Sequence, residues 1–261
     1  MLFNKKFDVI ISIGEDCACT SYLRRFKLQS SSRPFDWLTK AAFETRIDLI
    51  VNDFSNFLVK ENIIPLTKPV GVSTDEKHNY YKDTLLDFYF YHDFRVGQPF
   101  EDEFILVADK YARRISRMYK EIDNSSDILF VWWSRDKHLS ESVLVYAYDK
   151  LSKKFNSKNI CLLCIEFDMH YSEQYFADGH ILAVKYDNIS YLHNPAYNET
   201  MGNEQNNMKF FAKISHRISL KQFFKICVYK FLKMIFGIIP CRKVRRRLKD
   251  KLSLLLFHDK L

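Results

Sequence analysis

Three runs of nearly continuous apolar character constrain this chain more than any other feature: residues 8–14 (Asp-Val-Ile-Ile-Ser-Ile-Gly), 127–133 (Asp-Ile-Leu-Phe-Val-Trp-Trp) and 159–167 (Asn-Ile-Cys-Leu-Leu-Cys-Ile-Glu-Phe). A strand with one wet face alternates apolar and polar residues. A strand apolar on both faces has to be covered on both, which is the setting of a parallel sheet wrapped by helices. Helical segments lie between the runs, as that architecture requires. Residues 101–121 carry Phe104, Val107, Ala108, Tyr111, Ile115 and Met118 at helical spacing, and 41–52 carry Phe43, Ile47, Leu49 and Ile50. Ser140 reads as the N-cap of a helix to about residue 154, with Glu141 favourably placed in its first turn. Residues 85–92 and 180–186 read as further strands, and 53–80 as irregular with weak strand character near 63–66. The expectation is an α/β fold over residues 1–213, a mostly parallel sheet with helices on both faces, followed by a basic amphipathic helical tail over 214–261.

The tail accounts for the charge. Thirteen of the 40 Lys and Arg lie from Arg217 onward, with only two of the 32 Asp and Glu, so the net charge of +8 belongs to the last residues while the body is slightly acidic. At 100° per residue, Phe223, Phe224, Cys227, Val228, Phe231, Met234, Ile235 and Ile238 share one arc, and Lys221, Lys225, Lys230 and Lys233 the opposite half. Pro240 ends that helix and a strongly basic second one opens. Apolar bulk facing lysines suits a helix lying in a membrane interface, its basic face on anionic headgroups through residues 217–261. Four lysines argue against a spanning helix, and a core-packed helix with a solvated basic face is the alternative. No nucleic-acid motif accompanies the charge, so no nucleic-acid partner is expected.

Six cysteines at 17, 19, 161, 164, 227 and 241 are too sparse for a disulfide framework. The first residues show no secretory signal, and the expected setting is the reducing cytoplasm, peripheral on the inner face of the membrane. Cys161 and Cys164 sit three apart within a strand and so face opposite sides, which suits neither a zinc knuckle nor a redox pair. No glycine-rich phosphate loop is present. Neither a metal nor another cofactor is expected.

The junction after the first strand is the best place for reactive chemistry. Gly14 ends the run, Asp16 is a plausible N-cap, and a helix begins at Cys17. A thiol in the first helical turn faces unpaired N–H groups and the positive dipole end, which favour thiolate, the nucleophilic form. A base must lie within hydrogen-bond reach, and a third group must orient it. His92, expected at a strand end, is the first candidate base; His138 and His193 follow. If the strand ending at His92 is parallel to the first, both residues lie on the carboxyl edge, where ligands bind in such sheets. The orienting carboxylate is Asp36 or Asp93; Asp93 neighbours His92 and on a strand would point away, which favours Asp36. Arg113 and Arg117, one turn apart on the 101–121 helix, suit a substrate carboxylate or phosphate.

The blocks Ile11-Ser-Ile-Gly-Glu-Asp-Cys17, Tyr22-Leu-Arg-Arg-Phe-Lys-Leu28, Ser32-Arg-Pro-Phe-Asp-Trp37, Phe90-Tyr-His-Asp-Phe94, Lys110-Tyr-Ala-Arg-Arg-Ile-Ser-Arg117 and Ile128-Leu-Phe-Val131 together resemble the bacterial family described as putative papain-like cysteine peptidases, over about residues 7–135. The resemblance implies a thiol nucleophile at Cys17 and a histidine base at His92. It also implies a setting beside glycosyltransferases in surface-polysaccharide biosynthesis. The expected function is thus a cysteine-dependent hydrolase or acyltransferase at the cytoplasmic membrane surface. Two rivals stand beside it: a glycan-modifying transferase using the Arg113 and Arg117 face, and a non-catalytic adaptor recruiting a partner to the membrane through the tail.

Overall fold

The computed structural model describes residues 2–67, 77–134, 138–186 and 204–217, and isolated positions of the tail between 228 and 248. In chain order the first elements are β1 (Lys6–Phe7), β2 (Val9–Ser12), α1 (Cys17–Arg25), β3 (Leu38–Lys40) and α2 (Phe43–Val51). Then come β4 (Ile63–Pro65), β5 (His78–Asp83), β6 (Phe88–Arg95), α3 (Phe100–Asp123), β7 (Asp127–Trp133) and α4 (Glu141–Lys154). The chain continues through β8 (Asn159–Phe167), β9 (Ser172–Phe176), β10 (Ile181–Tyr186), α5 (Glu204–Lys213) and β11 (Ser215–His216).

The apolar runs form one five-stranded sheet in the order β2-β7-β8-β10-β9. Its first four strands are parallel, and β9 pairs antiparallel with β10 at the edge. Both faces are covered, as the apolar runs demand. Ile10, Leu129, Val131, Cys161 and Leu163 pack with α1 and α5 on one side. Ile11, Phe130, Trp132, Leu162 and Cys164 pack with α2, α3 and α4 on the other. The period-two alternation thus sends Cys161 and Cys164 to opposite cores. The parallel strands follow chain order across the sheet, so the winding never reverses.

A second sheet, antiparallel and four-stranded in the order β3-β6-β5-β4, was not expected from the sequence. It lies in the chain between α1 and β7 and packs into the core shared with α2 and α3. It corrects the reading of residues 85–92 as a strand. The Asp83 carboxylate, fully buried, accepts from the backbone N–H groups of Leu85 and Leu86 at 2.9 and 3.0 Å. That Asx-type turn draws both leucines into a hairpin bend, and Asp87 follows with a φ of 57°. The strand therefore starts at Phe88. His92 sits inside β6 rather than at its end, and on an antiparallel strand, so it does not belong to the carboxyl edge of the parallel sheet.

Beyond α5, the chain returns to the body. β11 pairs with β1, and the Arg217 guanidinium bridges Asp8 and Asp127. The tail helices expected over 218–239 and after Pro240 lie outside the described residues except at single positions. Among these, Val228, Phe231, Met234 and Ile235 are helical and exposed. His193 also lies outside the described residues. Among the described residues no helix is long and apolar enough to cross a membrane.

Candidate active site

The Cys17 junction is built by close approach. A Cβ placed on Gly14 would lie 2.4 Å from the Cys19 Cβ, so only glycine lets α1 start hard against the end of β2. Glu15 prolongs the sheet pairing through its N–H to the Trp133 carbonyl at 3.0 Å, and its carboxylate accepts from the Ser134 hydroxyl at 2.8 Å. Asp16 is extended and caps the helix, its carboxylate accepting from the Ala18 N–H at 2.7 Å. Cys17 is therefore the first helical residue. It is half-buried, within reach of solvent, where first-turn N–H groups and the dipole favour negative charge.

The neighbouring thiol differs in kind. Cys19 is fully buried with its Sγ 3.6 Å from the Val131 carbonyl, and burial pushes its pKa up to about 12. A thiol so held is inert near neutral pH. Of the two cysteines, only Cys17 can meet a substrate.

Cys17, Thr20, Ser21 and Arg24 fall along one stripe of α1, and Thr20 and Arg24 meet the short 3-10 turn Pro34–Trp37. Asp36, fully buried, is the centre of that contact. One carboxylate oxygen accepts from Thr20 Oγ1 at 2.9 Å; the other accepts from Arg24 Nη2 at 3.0 Å, Gln29 Nε2 at 2.7 Å and the Arg33 N–H at 3.0 Å. The expected orienting carboxylate thus anchors the turn to the nucleophile's helix. Arg46, also fully buried, ties the junction to β3: its Nη2 donates to the carbonyls of Glu15, Leu38 and Lys40 at 3.1, 3.3 and 2.9 Å. Burial lowers its pKa to about 10.

Trp37 completes the turn and links it to the second sheet. The Arg24 guanidinium lies 5.6 Å from its ring centre, and His92 meets the ring edge-on at 5.8 Å. His78 also packs edge-on with His92, at 6.2 Å. Trp37, His92, Asp93, Lys110 and Arg114 line a cleft of about 280 Å³. The sequence-predicted residues thus meet in part. Asp36 joins the face of α1 that carries Cys17, and the adjacent Trp37 touches His92. Asp93 is buried, accepting from the Tyr111 hydroxyl at 3.1 Å and paired with Lys110 at 2.6 Å.

The two predicted arginines stand apart from this cleft. Arg113 is exposed, and Arg117 donates to the Ser32 carbonyl at 3.0 Å, supporting the stretch before the turn. His138 is exposed just ahead of α4 and is not among the residues that line this cleft. The arginine that lines the cleft is Arg114, which the sequence reading passed over. Its signal was its place in the apolar stripe of α3, between the buried Tyr111 and Met118, where a leucine would be ordinary. Lys110 and Trp37 were missed because nothing in a linear sequence brings α3 beside the 34–37 turn.

No cluster of histidine, cysteine and carboxylate side chains able to hold a metal occurs among the described residues. No solved structure matches the chain. An uncharacterized protein of Acanthamoeba polyphaga mimivirus is 25% identical over 136 residues, which is 47% of this chain; the match spans 60% of the viral protein's own length. A family model described as putative papain-like cysteine peptidase matches residues 8–170, a stretch that holds β2, α1, the 34–37 turn, the whole second sheet and the parallel strands β7 and β8. The chain belongs to that family.

Proposed function

We propose that this protein is a cysteine-dependent hydrolase or acyltransferase in which Cys17 is the nucleophile and His92 the proton carrier. The observation that carries the reading is Cys17 itself: a half-buried thiol at the first position of a capped helix, beside an inert buried thiol, within the family's matched segment. The Cys17 thiolate attacks an acyl carbonyl, and a thioester forms as the alcohol or amine leaves with a proton from the His92 imidazolium. Water, losing its proton to His92, then attacks the thioester and releases the acid with the thiolate restored. An acceptor alcohol or amine in place of water gives acyl transfer. First-turn N–H groups of α1 stabilise the oxyanion of each tetrahedral intermediate. Asp36 serves by position, holding the turn whose Trp37 packs on His92.

An activated ester such as mono-p-nitrophenyl terephthalate is the first substrate to offer. Cys17→Ala is expected to reduce its turnover about a hundredfold or more, as loss of a nucleophile does, while Cys19→Ala leaves turnover within a factor of about two. Equal rates in wild type and Cys17→Ala would exclude this chemistry. The setting follows from the tail. Exposed Val228, Phe231, Met234 and Ile235 and the run of lysines and arginines support docking on an anionic bilayer, and the family resemblance supports service in surface-polysaccharide assembly. Sedimentation with phosphatidylserine vesicles but not phosphatidylcholine vesicles, lost on deleting 218–261, is the expected result; indifference to the deletion would contradict it.

A further inference from the structure

We propose that the cleft beside His92 binds a carboxylate of the substrate, and that Arg114 is its principal ligand. The inference rests on the assignment of His92 to the reacting pair and names the class of molecule that the pair would act upon.

Charge singles out Arg114. Lys110 also lines the cleft, but its ammonium is neutralised by Asp93 at 2.6 Å, and Asp93 is further held by Tyr111. Arg114 forms no ion pair among the described residues. Its guanidinium lies 5.3 Å from the Tyr111 ring centre, and its Nη1 is buried without a hydrogen-bond partner. A buried N–H without an acceptor costs free energy that a ligand oxygen would recover. Helix α3 gives up an apolar position to keep this guanidinium inside its stripe, which core packing alone would not favour.

The same inventory selects among anions. Lys110 and Asp93 cancel, so Arg114 is the guanidinium of the cleft lining that no carboxylate neutralises among the described residues. A carboxylate brings one negative charge and two oxygens in the plane of the guanidinium fork. A phosphate presents further oxygens for which the lining offers no second unpaired guanidinium or ammonium. Trp37 supplies an apolar wall for the carbon atoms of the ligand. The substrate is therefore an acyl compound bearing a free carboxylate, such as a peptide near its C-terminus or an acidic side chain, rather than a neutral ester.

The test reads Trp37 directly. The chain has three tryptophans, and Trp132 and Trp133 are fully buried, so the Trp37 indole N–H resonance reports the cleft. Full-length Cys17→Ala protein is titrated with N-acetylglycine, N-acetylglycinamide and inorganic phosphate. The expected result is a saturable shift of the Trp37 resonance with N-acetylglycine, and binding about tenfold weaker or worse with the amide and with phosphate. Arg114→Gln is expected to weaken N-acetylglycine binding by the same factor, while Arg114→Lys retains part of it. Both variants are accepted only if the remaining resonances keep their wild-type positions. Equal binding of acid and amide, tighter binding of phosphate, or no effect of Arg114→Gln would overturn the proposal. Because the titration uses protein without the Cys17 thiol, carboxylate binding and thiol reactivity fail independently, and the loss of one is not mistaken for the loss of the other.

Discussion

Asp36→Ala is expected to lower the unfolding free energy by about 3–5 kcal/mol, the range for removing one partner of a buried charged network. Four donors from three segments converge on this fully buried carboxylate: Thr20 and Arg24 of α1, Gln29 of the following loop, and the backbone N–H of Arg33. Removing it strands a buried hydroxyl and a backbone N–H, leaves the Gln29 amide with only the Ser31 carbonyl to accept from it, and takes from Arg24 its carboxylate, leaving Ser32 Oγ. Asp36→Asn is expected to recover only part of the loss, since its NH₂ can turn to the Thr20 hydroxyl, which accepts, but the charge that pairs with Arg24 is gone. Urea denaturation measures both. The consequence for function follows from position. The turn that Asp36 anchors carries Trp37 against His92, so the Asn variant should lose activity out of proportion to its residual folding. A change below about 1 kcal/mol in the alanine variant would mean that the four contacts are solvent-replaceable and that the turn is held otherwise.

The second large effect is a slope of stability with pH, owed to Glu166. This residue is the last but one of β8, on the face shared with Cys164, 1% exposed, with both carboxylate oxygens near the Leu139 N–H at 3.1 and 3.3 Å. Burial pushes its pKa up to about 7, opposed by that N–H and by Lys185, its neighbour across the β8–β10 register. A folded-state pKa above the unfolded value of 4.5 means that the folded protein holds the proton more tightly. Its stabilising contribution is complete below pH 4.5 and is lost as the pH rises through 7. At 1.36 kcal/mol per unit, the loss is about 3 kcal/mol across that window. Glu166→Gln keeps the acceptor for Leu139 and removes the titration, so its stability should rise relative to the wild type as the pH climbs from 4.5 to 7. His216 slopes the other way, because burial lowers its pKa and its stability is lost as the pH falls. That contribution is common to both proteins, and the difference between their curves isolates Glu166. Parallel curves would contradict the assignment.

The parallel sheet was legible because its strands are apolar on both faces. Residues 127–133 and 159–167 form the strands expected of them, and helix α3 overruns its expected bounds of 101–121 by two residues at most. The cap was legible too, since an aspartate between a glycine turn and a helical run has few other uses, and Asp16 is indeed the N-cap of α1. The second sheet was not. Its strand β5, His-Asn-Tyr-Tyr-Lys-Asp, is too polar to stand out, and the aromatic run of β6 masks where the strand begins. What decides it is the Asp83 side chain closing a turn on Leu85 and Leu86, a contact that no periodicity reports. Around the candidate site only the local geometry was legible: Gly14, Asp16 and Cys17 are neighbours in sequence and form the close turn, the cap and the helix start. Asp36, expected to orient His92, instead binds Thr20 and Arg24 of α1, a contact that sequence does not report. Arg114 could not be separated from Arg113 and Arg117 by charge. Its distinction is the face of α3 that it occupies and the residues that the fold brings against that face.

The central claim is that Cys17 is an activated nucleophile served by His92, and the pH dependence of its alkylation tests this most directly. The rate of iodoacetamide modification at Cys17, followed by peptide mass analysis from pH 4 to 10, should report a thiolate pKa well below the free-thiol value of about 8.5. In His92→Ala that pKa should move upward, while Cys19→Ala should leave it unchanged. A Cys17 that resists alkylation, or that titrates as a free thiol whether or not His92 is present, would contradict the account.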